Sequence, residues 1–268
     1  MVLTPFNYCI MIHKMSIGDI NASVNYKVKI KPALGRRKKT TSGQEDDLLT
    51  FARADLKMPA GYFSPARPES MTSPQNFGDE ADISRLDPAG FDRHHRKKVK
   101  VLAGTDEAGR GPLAGPLVAA AVVLDPQLEY PGLGDSKKLS AAAREKAFEL
   151  ISARALALAW EIIEASEVDR LNPLAASMLA MVRSVAKLGL RPDLVLVDGN
   201  SKPDMEIPVI AVVKGDARSL TIGAASIVAK VVRDRLMRDW HEVYPDYGFD
   251  RHKGYGTAAH LEALRRLG

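Results

Sequence analysis

Asp106-Glu107, Asp198 and Asp216 each follow an apolar run short enough to be a β-strand, and this recurrence limits the fold more than any other feature of the chain. One strand-end aspartate means little, because Asp is a common turn residue. Three such ends, with Gly109, Gly199 and Gly215 close by, suggest strands that deliver carboxylates to one edge of a sheet. Four carboxylates drawn together repel unless cations or protons neutralise them. Oxygen-only donors suit Mg²⁺ or Mn²⁺ rather than zinc, and no His/Cys set with zinc spacing occurs beyond residue 99.

The periodicity between these points supplies the remaining elements. Val99–Thr105 and Leu117–Leu124 read as buried strands, separated by turn chemistry at Gly109, Gly111, Pro112, Gly115 and Pro116. Ser140 is a suitable N-cap for a helix over Ala141–Ala153, and Leu156–Ile163 forms a third strand. Helix follows over Glu167–Leu188, interrupted at Pro173, with Met178, Leu179, Met181, Val182 and Val185 as a core-facing stripe. Leu194–Val197 and Val209–Val213 are two further strands. A long helix over Leu220–Glu242 turns Ala224, Ile227, Val228, Val231 and Leu236 inward, and Ala258–Leu267 is a last short helix. Strands interleaved with helices indicate an α/β or α+β domain.

Residues 1–98 carry no such pattern. Patches like Ser64-Pro65-Ala66-Arg67-Pro68-Glu69-Ser70 and basic clusters at Arg36–Lys39 and Arg96–Lys98 predict a mostly disordered leader, followed by one domain over 99–268. Charge divides the same way. Residues 1–100 hold 17 Lys+Arg against 11 Asp+Glu, net +6, leaving 21 against 22 for the rest. The net +5 of the whole chain therefore belongs to the leader, and any polyanion binding by the domain depends on local patches. Cys9 is the single cysteine, which excludes an intramolecular disulfide. No run reaches the roughly 18–20 apolar residues of a membrane span, and the first residues lack a secretory pattern. A cytoplasmic, monomeric protein is expected.

Around the acids stand groups suited to a nucleic acid. Gly109-Arg110-Gly111 bares peptide N–H groups beside a planar guanidinium, a cradle for phosphate. Ser136, Lys137, Lys138 and Lys214 add hydroxyl and ammonium donors, and Tyr255 between two glycines offers a stacking face. His252 and His241 read as hydrogen-bonding and helix residues. Such a set also fits a hybrid-binding protein without activity. A nucleotide-dependent phosphatase or kinase is disfavoured, since the turn lacks the G-x-x-x-x-G-K-[ST] pattern.

The ordered segments GTDEAGRGPLAGPLVAAAVVL, GDSKKLS, VLVDGN, VVKGD, GAASIVAKVVRDR and HKGYGT resemble the ribonuclease HII family over roughly residues 99–268. The resemblance implies a ribonuclease H-like fold, with a mixed central sheet flanked by helices and a helical C-terminal portion. It implies cleavage of RNA in RNA–DNA hybrids, including incision at single ribonucleotides in duplex DNA. By the same resemblance, Asp106, Glu107, Asp198 and Asp216 are the catalytic and metal-binding acids for Mn²⁺ or Mg²⁺. Gly109, Arg110 and Gly111 would read the ribonucleotide 2′-OH, Lys137 would sit near substrate phosphates, and Tyr255 would stack on the following sugar. The family pattern also includes a basic tail bearing serine and phenylalanine beyond the last helix. This sequence does not contain that tail, and its lack is expected to weaken substrate binding or C-terminal packing.

Overall fold

The computed structural model describes residues 83, 85–133 and 139–268. Among them, five strands form one mixed sheet: β1 (Leu102–Ala108), β2 (Leu117–Val123), β3 (Ala157–Ile163), β4 (Leu194–Asp198) and β5 (Val209–Val212). The order across the sheet is β3-β2-β1-β4-β5. β1 pairs antiparallel with β2 and parallel with β4, β2 pairs antiparallel with β3, and β4 parallel with β5. β1 and β4 thus run side by side and finish at the same end of the sheet.

The helices are α1 (Pro88–Arg96), α2 (Ala141–Arg154), α3 (Ala165–Leu171), α4 (Pro173–Ala186), α5 (Gly215–Arg218), α6 (Leu220–Val243), α7 (Phe249–His252) and α8 (Ala258–Leu267). Side chains alternate across a strand, and β2 shows why its sequence is wholly apolar. Val118, Ala120 and Val122 pack with Ala224, Ile227, Val228 and Val231 of α6. Leu117, Ala119, Ala121 and Val123 pack with Ala176, Ala180 and Met181 of α4. A strand covered on both faces has no position for a polar residue.

The expected strands and long helices are present, with three differences. β1 does not stop at Thr105. It continues through Asp106 and Glu107 to Ala108, because β2 pairs with it that far. Asp216 does not end a strand but lies in the four-residue helix α5. The third concerns the leader, whose predicted limit at residue 98 is too late. Residues 88–96 form α1, capped by Asp87 Oδ1 accepting from the Gly90 amide at 2.7 Å. Local sequence hid this helix, since its apolar anchoring comes mainly from Phe91, which is buried with Leu102, Leu194, Leu196, Val212 and Ile222. The helix is held by tertiary burial. Leader positions 1–82 and 84, Cys9 among them, lie outside the described residues.

α6 sits so close to β1 that Gly104 is obligatory. A Cβ there would come within 2.6 Å of the Ile222 nitrogen and the Thr221 carbonyl carbon. Gly104→Ala is expected to destabilise the fold by about 1–3 kcal/mol through overpacking, at on the order of 2–4 °C of Tm per kcal/mol for a domain of this size. Calorimetry reads the shift, and an unchanged Tm would contradict the close seating of α6.

Candidate active site

Asp106 and Glu107 occupy neighbouring positions near the end of β1, so their side chains leave on opposite faces. Asp106 shares the face of Gly104, toward α6, where it hydrogen bonds with Ser226. Asp198 is the last residue of β4, one strand over. Its Oδ1 accepts the Gly215 amide at 2.6 Å and the Asp216 amide at 3.4 Å, which draws α5 onto the end of β4. Lys214 enters this turn in the left-handed conformation at φ 55°. A Cβ at Gly215 would lie 2.7 Å from Ile222 Cδ1 and 3.2 Å from Asp198 Oδ1, so a side chain there would crowd the turn.

The electrostatics show what these groups lack. Asp106 is buried, and its pKa is raised well above the ordinary 3.8, first by desolvation and then by the charges of Glu107 and Asp198. Glu107 is also raised by desolvation, a shift opposed chiefly by Arg110, whose Nη1 lies 3.1 Å from Glu107 Oε1. Three carboxylates therefore repel one another at the end of two strands, and the nearest ion-pairing cation is half in solvent. Among the described residues, no three such groups already converge as a finished metal cage. That is the arrangement expected while Asp198 is engaged by amides and Glu107 by Arg110. The donor set, oxygen only and short of positive charge, is the type that suits Mg²⁺ or Mn²⁺.

Beside the acids, two glycine-bearing loops lie against each other. In the first, Gly109 has φ 110° and Gly115 φ 96°. In the second, Gly254 has φ 83°, and a Cβ on it would reach within 2.1 Å of the Ala114 oxygen. The Gly254 carbonyl accepts from the amides of Leu113 at 2.9 Å and Ala114 at 3.3 Å, stitching the loops together. Tyr255 is 46% exposed, and a Cβ on Gly111 would lie only 3.7 Å from its Cε1. Lys230 Nζ stands 5.9 Å from the ring centroid. The Tyr255 carbonyl meets His260 Nδ1 at 2.9 Å. The structure thus sets Asp106, Glu107 and Asp198 near one another, Arg110 on Glu107 and Gly111 beside Tyr255, and joins Asp216 to Asp198 through its backbone amide, whereas Lys137, with Ser136 and Lys138, lies outside the described residues.

Sequence reading missed the residue that ties the two loops together. Arg233 of α6 is fully buried, and its guanidinium donates to the carbonyls of Pro116 at 2.9 Å, Lys253 at 2.9 Å and Ala114 at 3.1 Å. Desolvation lowers its pKa to about 10, leaving it protonated at neutral pH. A planar fork with five donors can join several carbonyls where an ammonium would not. The RDR segment contains this arginine, but nothing local distinguishes Arg233 from the exposed Arg238. His252 holds the second loop from inside, with Nε2 2.7 Å from the Tyr247 carbonyl and Nδ1 3.2 Å from the Gly254 amide. His252 and His241 are thus structural residues, as expected from sequence.

A family model described as Ribonuclease HII matches residues 103–268. Ribonuclease HII 1 of Methylibium petroleiphilum is 56% identical over 170 residues, covering 63% of this chain and 86% of the relative. Ribonuclease HII of Idiomarina loihiensis is 54% identical over 168 residues, covering 63% and 90%. Among solved structures, ribonuclease H2 from Pyrococcus horikoshii superposes with a TM-score of 0.52 at 30% identity, over 60% of this chain and 83% of that one.

The raised pKa of Asp106 carries a stability consequence. Folded Asp106 holds its proton at pH values where the unfolded chain, titrating at 3.8, has lost it. Stability therefore falls as pH rises from that value through the folded pKa, and the penalty is complete above it. In chelator at neutral pH, Asp106→Asn is expected to melt higher than the parent, by on the order of 2–4 °C for each kcal/mol of relieved repulsion. The gap should narrow as pH is lowered, and a variant that melts lower at neutral pH would contradict the repulsive cluster.

Proposed function

The chain belongs to the ribonuclease HII family, and from that premise we propose that it cleaves the RNA strand of RNA–DNA hybrids and incises duplex DNA 5′ of a single embedded ribonucleotide. It is an endoribonuclease of the ribonuclease H type, hence a phosphodiester hydrolase. What supports the finer reading is the approach of Gly111 to Tyr255, next to an arginine that pairs with Glu107 in a cluster with Asp106 and Asp198.

In this reading, Asp106, Glu107, Asp198 and Asp216 hold divalent cations, Mn²⁺ or Mg²⁺. Such ions supply charge for activating water and for stabilising a leaving 3′ oxygen, giving 5′-phosphate and 3′-hydroxyl ends. The carboxylates leave the protein no nucleophile to provide. Arg110, exposed beside Glu107, can turn its guanidinium to a backbone phosphate, and Lys137 is assigned the same kind of partner. The peptide groups of Gly109–Gly111 read the 2′-OH, the group that separates RNA from DNA at one position. Tyr255 stacks on the next sugar, where a second 2′-OH would crowd the ring. Because both loops are fixed by Arg233 and by mutual amide bonds, their donors are oriented before substrate arrives. We carry forward a cytoplasmic monomer acting on ribonucleotides in DNA. Among the described residues, no helix is long and apolar enough to cross a membrane.

The direct test is a duplex with one embedded ribonucleotide, incubated with purified chain and each cation in turn. Cutting on the 5′ side of the ribonucleotide is expected, and its absence from well-folded protein would refute the enzymatic reading. Asp198→Asn should reduce turnover by roughly 100-fold or more, since even second-shell partners of metal sites are worth 10–100-fold, while hybrid binding persists. Near-normal turnover would remove Asp198 from the metal set. Tyr255→Ala removes stacking worth about 1–3 kcal/mol and should lower the preference for an embedded ribonucleotide over an all-RNA strand. An unaltered ratio would contradict its role.

A further inference from the structure

α1 lies upstream of the segment matched by the family model, yet its one buried carboxylate is committed to the joint beside Asp216. Asp92 is 5% exposed. Its Oδ1 accepts from Ser219 Oγ at 2.6 Å, and its Oδ2 accepts from the Thr221 amide at 2.8 Å and Thr221 Oγ1 at 2.5 Å. Ser219 is the single extended residue between α5 and α6, at φ −122° and ψ 127°. Its Oγ accepts the Ile222 amide at 3.1 Å, and its own amide donates to the Gly215 carbonyl at 2.8 Å. Asp92 thus completes the N-terminal cap of α6 and pins the residue on which α5 ends. Asp216 stands three positions before that residue in the chain.

Other contacts hold the carboxylate in place. Phe91 is buried in the core under β1 and β4, and the Arg218 guanidinium carbon lies 5.2 Å over its ring. Arg96 donates from Nη2 to the Leu124 carbonyl at 3.1 Å, fastening the far end of α1 to the end of β2. Burial raises the pKa of Asp92, while its hydrogen bonds to Ser219 and Thr221 and the charge of Arg96 oppose that shift. A buried carboxylate with three charge-assisted bonds is costly to leave half-paired. The α5–α6 elbow therefore has one preferred geometry while α1 is docked.

We propose that Asp92 is a positioning residue for the metal site, fixing the elbow so that Asp216 is presented to the cation, and that α1 is thereby a working part of the catalytic domain. This rests on the four-acid reading above. Asp92 touches neither substrate nor metal, so its loss should act on cation affinity and spare the chemical step.

The measurement is calorimetric titration of Mn²⁺ into the full chain, paired with turnover on the single-ribonucleotide duplex across a Mn²⁺ series. Asp92→Asn, which keeps shape but turns an acceptor into a donor, should weaken Mn²⁺ binding about 10-fold and raise the Mn²⁺ needed for half-maximal turnover by the same factor. Turnover at saturating Mn²⁺ should stay within about twofold of the parent, and Asp92→Glu should recover part of the affinity. Amide exchange should quicken across residues 215–222. A variant that melts lower yet binds Mn²⁺ as the parent does would overturn the proposal, leaving Asp92 a stabilising residue alone. If Asp92→Asn does not fold, Thr221→Val removes one of the three bonds and should still weaken Mn²⁺ binding about threefold, and parental affinity there would equally overturn it. Failure of the parent itself to bind Mn²⁺ would instead sink the four-acid reading.

Discussion

The close seating of α6 on β1 is the contact on which everything else depends. Gly104 lets a helix backbone touch a strand backbone, and the 24-residue helix then runs past every part of the site in turn. At about 1.5 Å per residue, one rigid rod spans the whole arrangement. Ser219 and Thr221 at its start take the Asp92 carboxylate, and Ser226 meets Asp106. Lys230 approaches the Tyr255 ring, Arg233 ties the two loops, and Trp240 closes the C-terminal aromatic cluster with Phe249. Spacing between the acids and the paired loops is therefore set by helix geometry and not by loop flexibility.

Along that rod the protein buries two kinds of charge and treats them in opposite ways. Arg233 is met by neutral groups, its donors taken by the carbonyls of Pro116, Lys253 and Ala114. That arrangement is stable without any ligand. Asp106 is surrounded by like charge and keeps a raised pKa. That arrangement is unfavourable until something positive arrives. The contrast separates a scaffold from a binding site within one core: a buried ion met by neutral carbonyls is structure, while a crowded set of like-charged acids is stored affinity for cations.

Much of this was legible in the residues. β2 could be read as doubly covered because no polar side chain interrupts Leu117–Val123, Ser140 marked a helix start, and Pro173 marked a break in a helical run that the structure divides there. The acids stood out because each follows an apolar run. Three things were not legible. The extent of β1 through Asp106 and Glu107 depends on pairing with β2, a partner that local polarity does not announce. The role of Arg233 depends on three carbonyls from two segments distant in sequence. α1 offers one large apolar side chain, Phe91, and Asp92 looks like any other charge in a basic stretch until Ser219 and Thr221 are brought to it. In each case the missing information is a contact across the fold, which periodicity cannot carry.

The two joined loops argue for selection by a fixed surface and not by closure around substrate. Gly109, Gly115 and Gly254 hold positive φ, and side chains at Gly109, Gly115 or Gly254 would strike neighbours within 2.6 Å. The carbonyls of the two loops are further held by one guanidinium and by the Leu113 and Ala114 amides. Such loops have little freedom to adapt when a deoxyribose replaces a ribose. A polar site built to meet a hydroxyl and unable to relax leaves its donors or acceptors unpaired when that hydroxyl is missing. On the proposed function, discrimination would then come from the cost of an unmet hydrogen bond at Gly109–Gly111 together with steric refusal at Tyr255. Both terms act before chemistry, and both depend on the rigidity that Arg233 provides.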